Sequence, residues 1–282
     1  MTIKVTLTGT GSPLPDPNRA GPSSLVQAGG QNILIDAGRG VGMRLPAAGV
    51  LPPMLSAIFL THLHSDHICD LNDIVTTRWI MSPVKNPTVI YGPVGTQKVV
   101  DGMLAMLSAD EHYRLDHHAD LREVGPMTVE VHEVSPGESF NIGDVTVSVH
   151  RTDHRPVAPT IGYRIEHDGV SVAIAGDTVP CDELDMMCAQ ADIYVQTVLR
   201  EDMVRAIASM LPTQQRFLDI LDYHSTVQQA AATASRCGVK TLVLTHYVPA
   251  PPPGQEDEWR ALAAEHFAGE IVVGPDLTVI ER

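Results

Sequence analysis

Four side chains that can bind metal ions lie within six consecutive residues of this chain. They are His62, His64, Asp66 and His67, and they directly follow the apolar stretch Ala57–Leu60. Imidazoles and a carboxylate at this density would go unsatisfied in an ordinary core. Gathered at the end of a strand, they can surround divalent ions with nitrogen and oxygen ligands. The segment therefore predicts a metal site; a histidine-rich polar loop is the alternative.

Three more residues of ligand type stand where an apolar or alternating run emerges into a loop. They are His154, Asp177 and His246. Strand ends are rigid supports, which a site needs in order to hold metal–ligand distances of about 2.0–2.2 Å. Each residue is weak when taken singly, because a lone histidine at a strand end is more often a hydrogen-bonded structural residue. Their order along the chain, after the opening motif, gives them their weight.

The order His-x-His-x-Asp-His, with the three later residues, resembles the metallo-β-lactamase superfamily over the whole chain. Three N-terminal stretches, Leu7–Pro13, Arg19–Ser24 and Asp36–Gly40, and the motif His224-Ser225-Thr226 resemble its ribonuclease Z-like branch. Within that branch the similarity is greatest to the members described as arylsulfatases and phosphodiesterases. The fold that the resemblance implies is a four-layer αββα sandwich.

The resemblance also implies a ligand set for two divalent metal ions. His62, His64 and His154 would bind the first ion, Asp66, His67 and His246 the second, and Asp177 would bridge both. Histidine and carboxylate ligands without thiolate suit Zn²⁺, although Mn²⁺ and Fe²⁺ accept the same ligands. The resemblance gives His224 a role in proton transfer; the alternative for this histidine is a simple contact at a helix cap.

Hydrophobic periodicity alone predicts a mixed α/β (α+β) chain, in which two runs of strands are each followed by helices. We expect one domain over residues 1–282, with two pseudo-repeat halves that divide near residue 140. A helix is predicted over Thr226–Cys237, with Ser225 as its N-cap and Gly238 as its C-cap. Met210–Asp222 is either a lid over the site or a short packing helix pair.

Composition favours a cytoplasmic protein without a membrane segment. The 282 residues carry 19 basic and 34 acidic side chains, a net charge of −15, and no Lys/Arg cluster suggests a nucleic-acid surface. The four cysteines show no Cys-x-x-Cys spacing and read as reduced thiols. Nucleic acid is therefore an unlikely partner on these grounds, and the resemblance adds the expectation of a homodimer.

Two departures from tRNA-processing ribonuclease Z stand out. Thr197 occupies the position where that family carries a catalytic glutamate, and threonine cannot shuttle a proton at neutral pH. Only Glu166–Gly169 connects two neighbouring strands where the family has a long tRNA-clamping arm. Both departures weigh against a tRNA substrate.

The main hypothesis from the sequence is therefore a dinuclear zinc hydrolase of a small anionic ester, either a phosphodiester or an aryl sulfate. A metal-bridging hydroxide would attack, Asp66 would orient it, and His224 would protonate the leaving oxygen. The first alternative is ribonuclease Z, the tRNA 3′-processing endonuclease. Lactone or thioester hydrolysis and a non-catalytic binding protein are further alternatives.

Overall fold

The computed structural model describes residues 2–252 and 254–282 of the chain. The strands are β1 (Lys4–Gly9), β2 (Ser23–Ala28), β3 (Gln31–Ile35), β4 (Ala57–Phe59), β5 (Thr88–Gly92), β6 (Val129–Glu133), β7 (Ser139–Ile142), β8 (Val145–Arg151), β9 (Ile161–His167), β10 (Val170–Ile174), β11 (Ile193–Leu199), β12 (Thr241–Val248), β13 (Glu270–Val273) and β14 (Val279–Glu281). The helices are α1 (Val41–Ala47), α2 (Ser65–Ile68), α3 (Leu71–Met81), α4 (Thr96–His117), α5 (Ala119–Val124), α6 (Asp182–Cys188), α7 (Glu201–Ala208), α8 (Gln214–Asp219), α9 (Val227–Arg236) and α10 (Glu256–Ala264). Two short 3₁₀ turns cover Pro52–Met54 and Ile220–Asp222. Across these described ranges, no helix combines the length and apolarity that crossing a membrane requires.

The strands form two mixed sheets with the same internal plan. One has the order β14-β1-β2-β3-β4-β5-β6 and the other β13-β12-β11-β10-β9-β8-β7. In each sheet one side is antiparallel and the other is parallel, with β3 to β6 and β10 to β13 as the parallel sets. Because parallel strands end at the same edge, the loops that follow them converge there. The expected division into two pseudo-repeat halves stays a prediction.

Alternation along the strands produces four layers. Ile33 in β3 faces the core between the sheets together with residues such as Val172 and Val243 of the second sheet. Its neighbour Leu34 faces outward, in a cluster that α1, α3 and α4 cover. The outer face of the second sheet packs on α6, α9 and α10, with Trp259 fully buried. The predicted αββα sandwich is therefore confirmed.

Several local elements differ from the expectations. The helix α9 is capped by Thr226, whose hydroxyl accepts from the Gln229 amide in a capping box, whereas the Ser225 hydroxyl donates to the Thr178 carbonyl. The predicted Ser225 cap is therefore wrong by one residue. Gly238 follows the last helical turn with φ of 67°, as a glycine at a helix end does. The β9–β10 connection is a tight hairpin through Asp168 and Gly169, as predicted.

One buried carboxylate ties the C-terminal segment to the first sheet and to the loop after β1. Asp276 accepts hydrogen bonds from the Thr10 amide and hydroxyl, from the Ala20 amide and from Nε of Arg44. The Thr10 carbonyl in turn accepts from the Tyr247 amide in β12, at 3.0 Å. Asp276 thus positions the loop after β1, which in turn binds Tyr247, the neighbour of the candidate ligand His246.

We expect Asp276→Ala to lower the free energy of unfolding by about 3 kcal/mol, because four donors lose a buried acceptor. Urea unfolding would measure the change. The matched control is Asp257→Ala, which removes an 88 % exposed partner of Arg260 and should cost under about 0.5 kcal/mol. Equal losses in the two variants would contradict the assigned role of Asp276.

Candidate metal centre

The seven candidate ligands, which are far apart in sequence, meet at the shared edge of the two sheets. Their donor atoms form two groups, and within each group all of them lie within 4.8 Å of one another. The first group consists of His62, His64, His154 and Asp177, and the second of Asp66, His67 and His246.

In the first group, three ring nitrogens converge on one point. Nδ1 of His64 lies 3.0 Å from Nε2 of His62 and 3.3 Å from Nε2 of His154. Four ligands placed tetrahedrally about 2.05 Å from one ion would be separated by roughly 3.3 Å. The spacing of the three nitrogens thus matches the donor set of a single small cation.

In the second group, Oδ2 of Asp66 lies 3.2 Å from Nε2 of His246 and 3.7 Å from Nε2 of His67. Asp177 stands between the groups: its Oδ2 is 3.7–3.8 Å from Nε2 of His62 and His154, and 3.5–3.7 Å from Nε2 of His67 and His246. One carboxylate therefore faces both donor sets.

Two backbone features bring these side chains together. Gly176, just before Asp177, has φ of 64°, and a Cβ there would lie 2.7 Å from Cβ of Thr61, so that glycine lets β10 approach the opening motif. His246 has φ of 46° and lies where the β11–β12 register shifts. A bulge of this kind re-aims one side chain without ending the strand. For this reason β12 continues to Val248 and does not end at the histidine.

Hydrogen bonds to Nδ1 fix the orientation of four imidazoles in the site. Nδ1 of His67 donates to Asp36, that of His154 to the Tyr223 carbonyl at 2.8 Å, and that of His224 to the Ile220 carbonyl at 3.0 Å. Nδ1 of His62 lies 3.1 Å from the Thr61 hydroxyl, which itself donates to Asp36. Nε2 of each of these four rings is thereby directed into the cluster.

Buried atoms without hydrogen-bond partners also fit a bound cation. Among the residues that the structure describes, Oδ1 of Asp177 and Nε2 of His67 are fully buried and make no hydrogen bond of normal geometry. Such atoms are costly unless something else satisfies them. The donor set therefore fits divalent metal ions.

The electrostatics favour the same ligand states. Burial lowers the pKa of His62 and His64 and lowers the pKa of His154 to about 4, so these rings are neutral, as metal ligands must be. Burial opposes ionisation of Asp177, but the charges of His246 and His67 hold its pKa well below the usual range. His67 and His246 are also desolvated, yet Asp177 raises the pKa of both rings. Bound cations would replace the protons on those two rings.

Asp36 orients candidate ligands, a role that the sequence analysis did not predict for it. Its Oδ2 accepts from Nδ1 of His67 and from the Thr61 hydroxyl, both at 2.8 Å, and its Oδ1 accepts from the Thr61 amide. It thus orients His67 directly and His62 through Thr61, one histidine from each group. Its position just after the buried strand β3 is the same strand-end signal that marked Asp177.

His224 reaches the cluster as the resemblance implied. Its Nε2 lies 3.2 Å from Oδ2 of Asp177, and its Nδ1 is held by the Ile220 carbonyl. Thr197, by contrast, lies on the inward face of β11 beside a small cavity that His67 and His246 also line. The Ile220 carbonyl, and not a carboxylate, therefore orients the His224 ring.

Comparison with known proteins defines the class. The sequence profile of the β-lactamase superfamily domain matches residues 31–247 of the chain. The chain therefore belongs to the metallo-β-lactamase superfamily of metal-dependent hydrolases. The metallo-β-lactamase fold protein YhfI from Bacillus subtilis shares the fold, with a TM-score of 0.74, 22 % identity, and coverage of 100 % of this chain and 99 % of that one.

The particular relatives narrow the class further. A protein named Ribonuclease Z from Mycobacterium bovis (BCG / Pasteur) is 55 % identical over 281 residues, which are 99 % of this chain and 98 % of the relative. Ribonuclease Z from Mycobacterium tuberculosis H37Rv is 53 % identical with the same coverage. The human tRNase Z, short form, is 26 % identical with a TM-score of 0.69, and the match covers 98 % of each chain. The chain is thus similar to the ribonuclease Z branch along its whole length.

These findings overturn two expectations from the sequence. The main hypothesis of a small anionic ester as substrate is wrong, and so is the expectation that nucleic acid is an unlikely partner. The missing arm was not evidence against a ribonuclease Z. The match spans 98 % of the Mycobacterium bovis relative, so that protein has no long extra segment either. The argument from Thr197 against a tRNA substrate is likewise outweighed by the full-length similarity to proteins named Ribonuclease Z.

We expect Asp36→Asn to reduce metal affinity 10- to 100-fold, because both an imidazole orientation and the Thr61 contact are lost. Metal retained after dialysis against graded chelator, measured by elemental analysis, would report the change. Asp73→Asn on the exposed face of α3 is the matched control. Retention equal to that of the control would show that Asp36 does not support the ligands.

Proposed function

We propose that this protein is a ribonuclease Z, a metal-dependent endonuclease that cuts the phosphodiester bond at the 3′ end of the mature sequence in precursor tRNA. The full-length similarity to proteins named Ribonuclease Z carries the proposal. The site supports it, since the cluster and His224 lie together at one sheet edge.

The proposal includes the ligand assignment. His62, His64 and His154 hold one ion, Asp66, His67 and His246 hold the other, and Asp177 bridges them. The position of the Asp177 carboxylate between the two donor sets supports this assignment. Zn²⁺ is the proposed metal, because nitrogen-rich sets with carboxylates and no thiolate suit it.

Two divalent ions, when bound, polarise the scissile phosphodiester and lower the pKa of water to the neutral range. Asp66 accepts a hydrogen bond from the attacking water and so directs its oxygen toward phosphorus. Burial opposes ionisation of Asp66, but its hydrogen bond to His246 and the charges of His67 and His246 keep its pKa below the usual value. Asp66 is therefore ionised and available as an acceptor at neutral pH.

His224 is the proposed general acid. As the bond from phosphorus to the ribose oxygen breaks, Nε2 of His224 gives that oxygen a proton. The Ile220 carbonyl holds the ring through Nδ1, so the proton-bearing edge stays directed at the site. Ser225 anchors the next residue through its hydrogen bond to the Thr178 carbonyl, which fixes the backbone beneath the imidazole.

A cytoplasmic location belongs to the same proposal. The four cysteines of the described chain are free thiols, which suits a reducing compartment. Assembly as a homodimer stays a prediction.

The decisive test is cleavage of a 3′-extended precursor tRNA by zinc-loaded protein, with the cut mapped at nucleotide resolution. We expect a single cut at the 3′ end of the mature sequence. Asp177→Ala should abolish cleavage and lower the metal content below two equivalents, because both donor sets lose a ligand. A wild-type protein that holds two metal equivalents and leaves the precursor intact would refute the proposed function.

We expect His224→Ala to lower kcat on precursor tRNA by about 10²–10⁴-fold while the metal content stays unchanged. On bis-p-nitrophenyl phosphate the loss should be far smaller, because 4-nitrophenolate leaves without a proton. A rate loss of the same size on both substrates would show that His224 supports the structure and does not act as the acid.

A further inference from the structure

A cavity of about 230 Å³ opens directly beside the candidate ligands His64, Asp66, Asp177 and His246. Its other walls are mainly apolar and aromatic, with a single cation. The residues that matter below are Leu14, Arg216, Phe217, Ile220, Tyr223 and Val248. An apolar cavity that ends on a cluster able to bind cations suits a ligand with a flat apolar part and an anionic part.

The segment Gln214–Tyr223, which we call the site wall, supplies four of these residues. None of the side chains of α8 is buried, so packing in the core does not account for this helix. The wall is anchored at its C-terminal end, where Ile220 and Leu221 pack on the buried residues Leu199, Val204 and Val248.

The same end of the site wall forms hydrogen bonds with histidines of the catalytic cluster. The Tyr223 carbonyl accepts from Nδ1 of His154, and the Ile220 carbonyl accepts from Nδ1 of His224. These two hydrogen bonds therefore fix the position of the site wall relative to the candidate metal ligands. A ligand that binds to the wall is positioned relative to the scissile bond.

The two aromatic rings of the wall differ in what they already contact. The Tyr223 ring packs on His154 and His224, with ring centroids 5.0 Å and 4.7 Å away. Phe217 is half-buried and, within the described ranges, makes no ring contact with another aromatic side chain. Phe217 thus lines the cavity with a ring that is not stacked on another aromatic side chain of the described ranges.

The cation of the wall is also available to a ligand. Arg216 is exposed and lies within ion-pair distance of no carboxylate in the part of the chain that the structure describes. The acidic residues of the same segment, Asp219 and Asp222, do not line the cavity, and Asp219 accepts from the Gln215 amide group. An unpaired guanidinium beside a site for phosphoryl chemistry is suited to a second phosphate.

We propose that this cavity is a nucleotide subsite: Phe217 stacks on the base next to the scissile bond, and Arg216 binds the adjacent backbone phosphate. The inference rests on the proposed function, since it requires an RNA strand in the site. Recognition of unpaired RNA by aromatic stacking and arginine–phosphate contacts is general, because every base has a π-face. The subsite thus supplies affinity and positioning without demanding a particular base.

The test combines a protein variant with a change in the RNA. Precursor tRNAs are made with an abasic nucleotide on the 5′ side or on the 3′ side of the cleavage point, and each is compared with the intact precursor. Phe217→Leu keeps the wall apolar but removes the ring. We expect it to lower kcat/KM on intact precursor by on the order of tenfold, and to have no effect on one of the two abasic precursors.

Two protein controls separate stacking from folding. Phe217→Tyr retains the ring and should lose much less activity on intact precursor than Phe217→Leu. Leu218→Ala changes the neighbouring apolar side chain of α8, which does not line the cavity, and should act equally on intact and abasic RNAs. Melting temperatures are recorded for all variants, so that a folding defect in Phe217→Leu is visible. The ratio of activities on intact and abasic precursors then carries the comparison, because a folding defect lowers both activities equally.

The phosphate contact has its own readout. Arg216→Gln should weaken binding of the precursor and reduce the slope of log(kcat/KM) against log salt by about 0.7, the value for one phosphate contact to a single strand. Arg205→Gln is the matched control, because Arg205 is exposed on α7 and already paired with Glu201. Its slope should equal that of the wild type.

The outcomes distinguish the two levels of the proposal. A wild-type protein that leaves intact precursor uncut overturns the proposed function and the subsite with it. A wild-type protein that cuts, together with a Phe217→Leu loss of equal size on the intact and both abasic precursors, overturns the subsite alone. An unchanged salt slope in Arg216→Gln overturns the phosphate contact.

Discussion

Asp177 presents a buried carboxylate oxygen to Nε2 of five histidines, at 3.2–3.8 Å. A carboxylate that is only 3 % exposed carries a desolvation cost of several kcal/mol unless opposite charge or donors surround it. Those five rings come from both sheets and from the loop before α9, so the compensation exists only when the sheets are packed with their parallel strands ending at one edge. The four-layer fold is the arrangement that meets this requirement.

The second constraint is orientation. An imidazole has two nitrogens, and a ligand must aim the correct one at the ion. In this protein, Nδ1 of the site histidines donates hydrogen bonds to Asp36, to the Thr61 hydroxyl and to two backbone carbonyls. Two of these acceptors belong to Ile220 and Tyr223, in the segment that also forms the cavity wall. The same segment therefore determines both the orientation of site histidines and the shape of the cavity.

The resemblance implied the four layers, and the sequence brought the seven candidate ligands into view because their signals are local: an apolar run followed at once by a histidine or an aspartate. It did not predict what depends on distant contacts. Strand β14 has three residues and pairs with β1 from the other end of the chain, so no local pattern marks it. The role of Asp36 depends on a contact with His67, 31 residues away, and that of the Tyr223 carbonyl on a contact with His154, 69 residues away. Ser225 was chosen as a cap although Thr226, with Gln229 three residues later, forms the capping box.

The net charge led to the wrong expectation about nucleic acid, and the reason is physical. A total of −15 describes the field far from the molecule, and at physiological ionic strength that field is screened beyond about 8 Å. A phosphate within the site instead meets local charge. Two divalent cations, bound as proposed, would outweigh the three carboxylates of Asp36, Asp66 and Asp177. The rings of His62, His64 and His154 are neutral, and Arg216 lines the cavity without an acidic partner in the described chain. A polyanion can therefore be held at this site although the protein as a whole carries a net negative charge. For the proposed nuclease, the sign of the charge near the reacting phosphate decides whether RNA binds, and the sum over the whole chain does not.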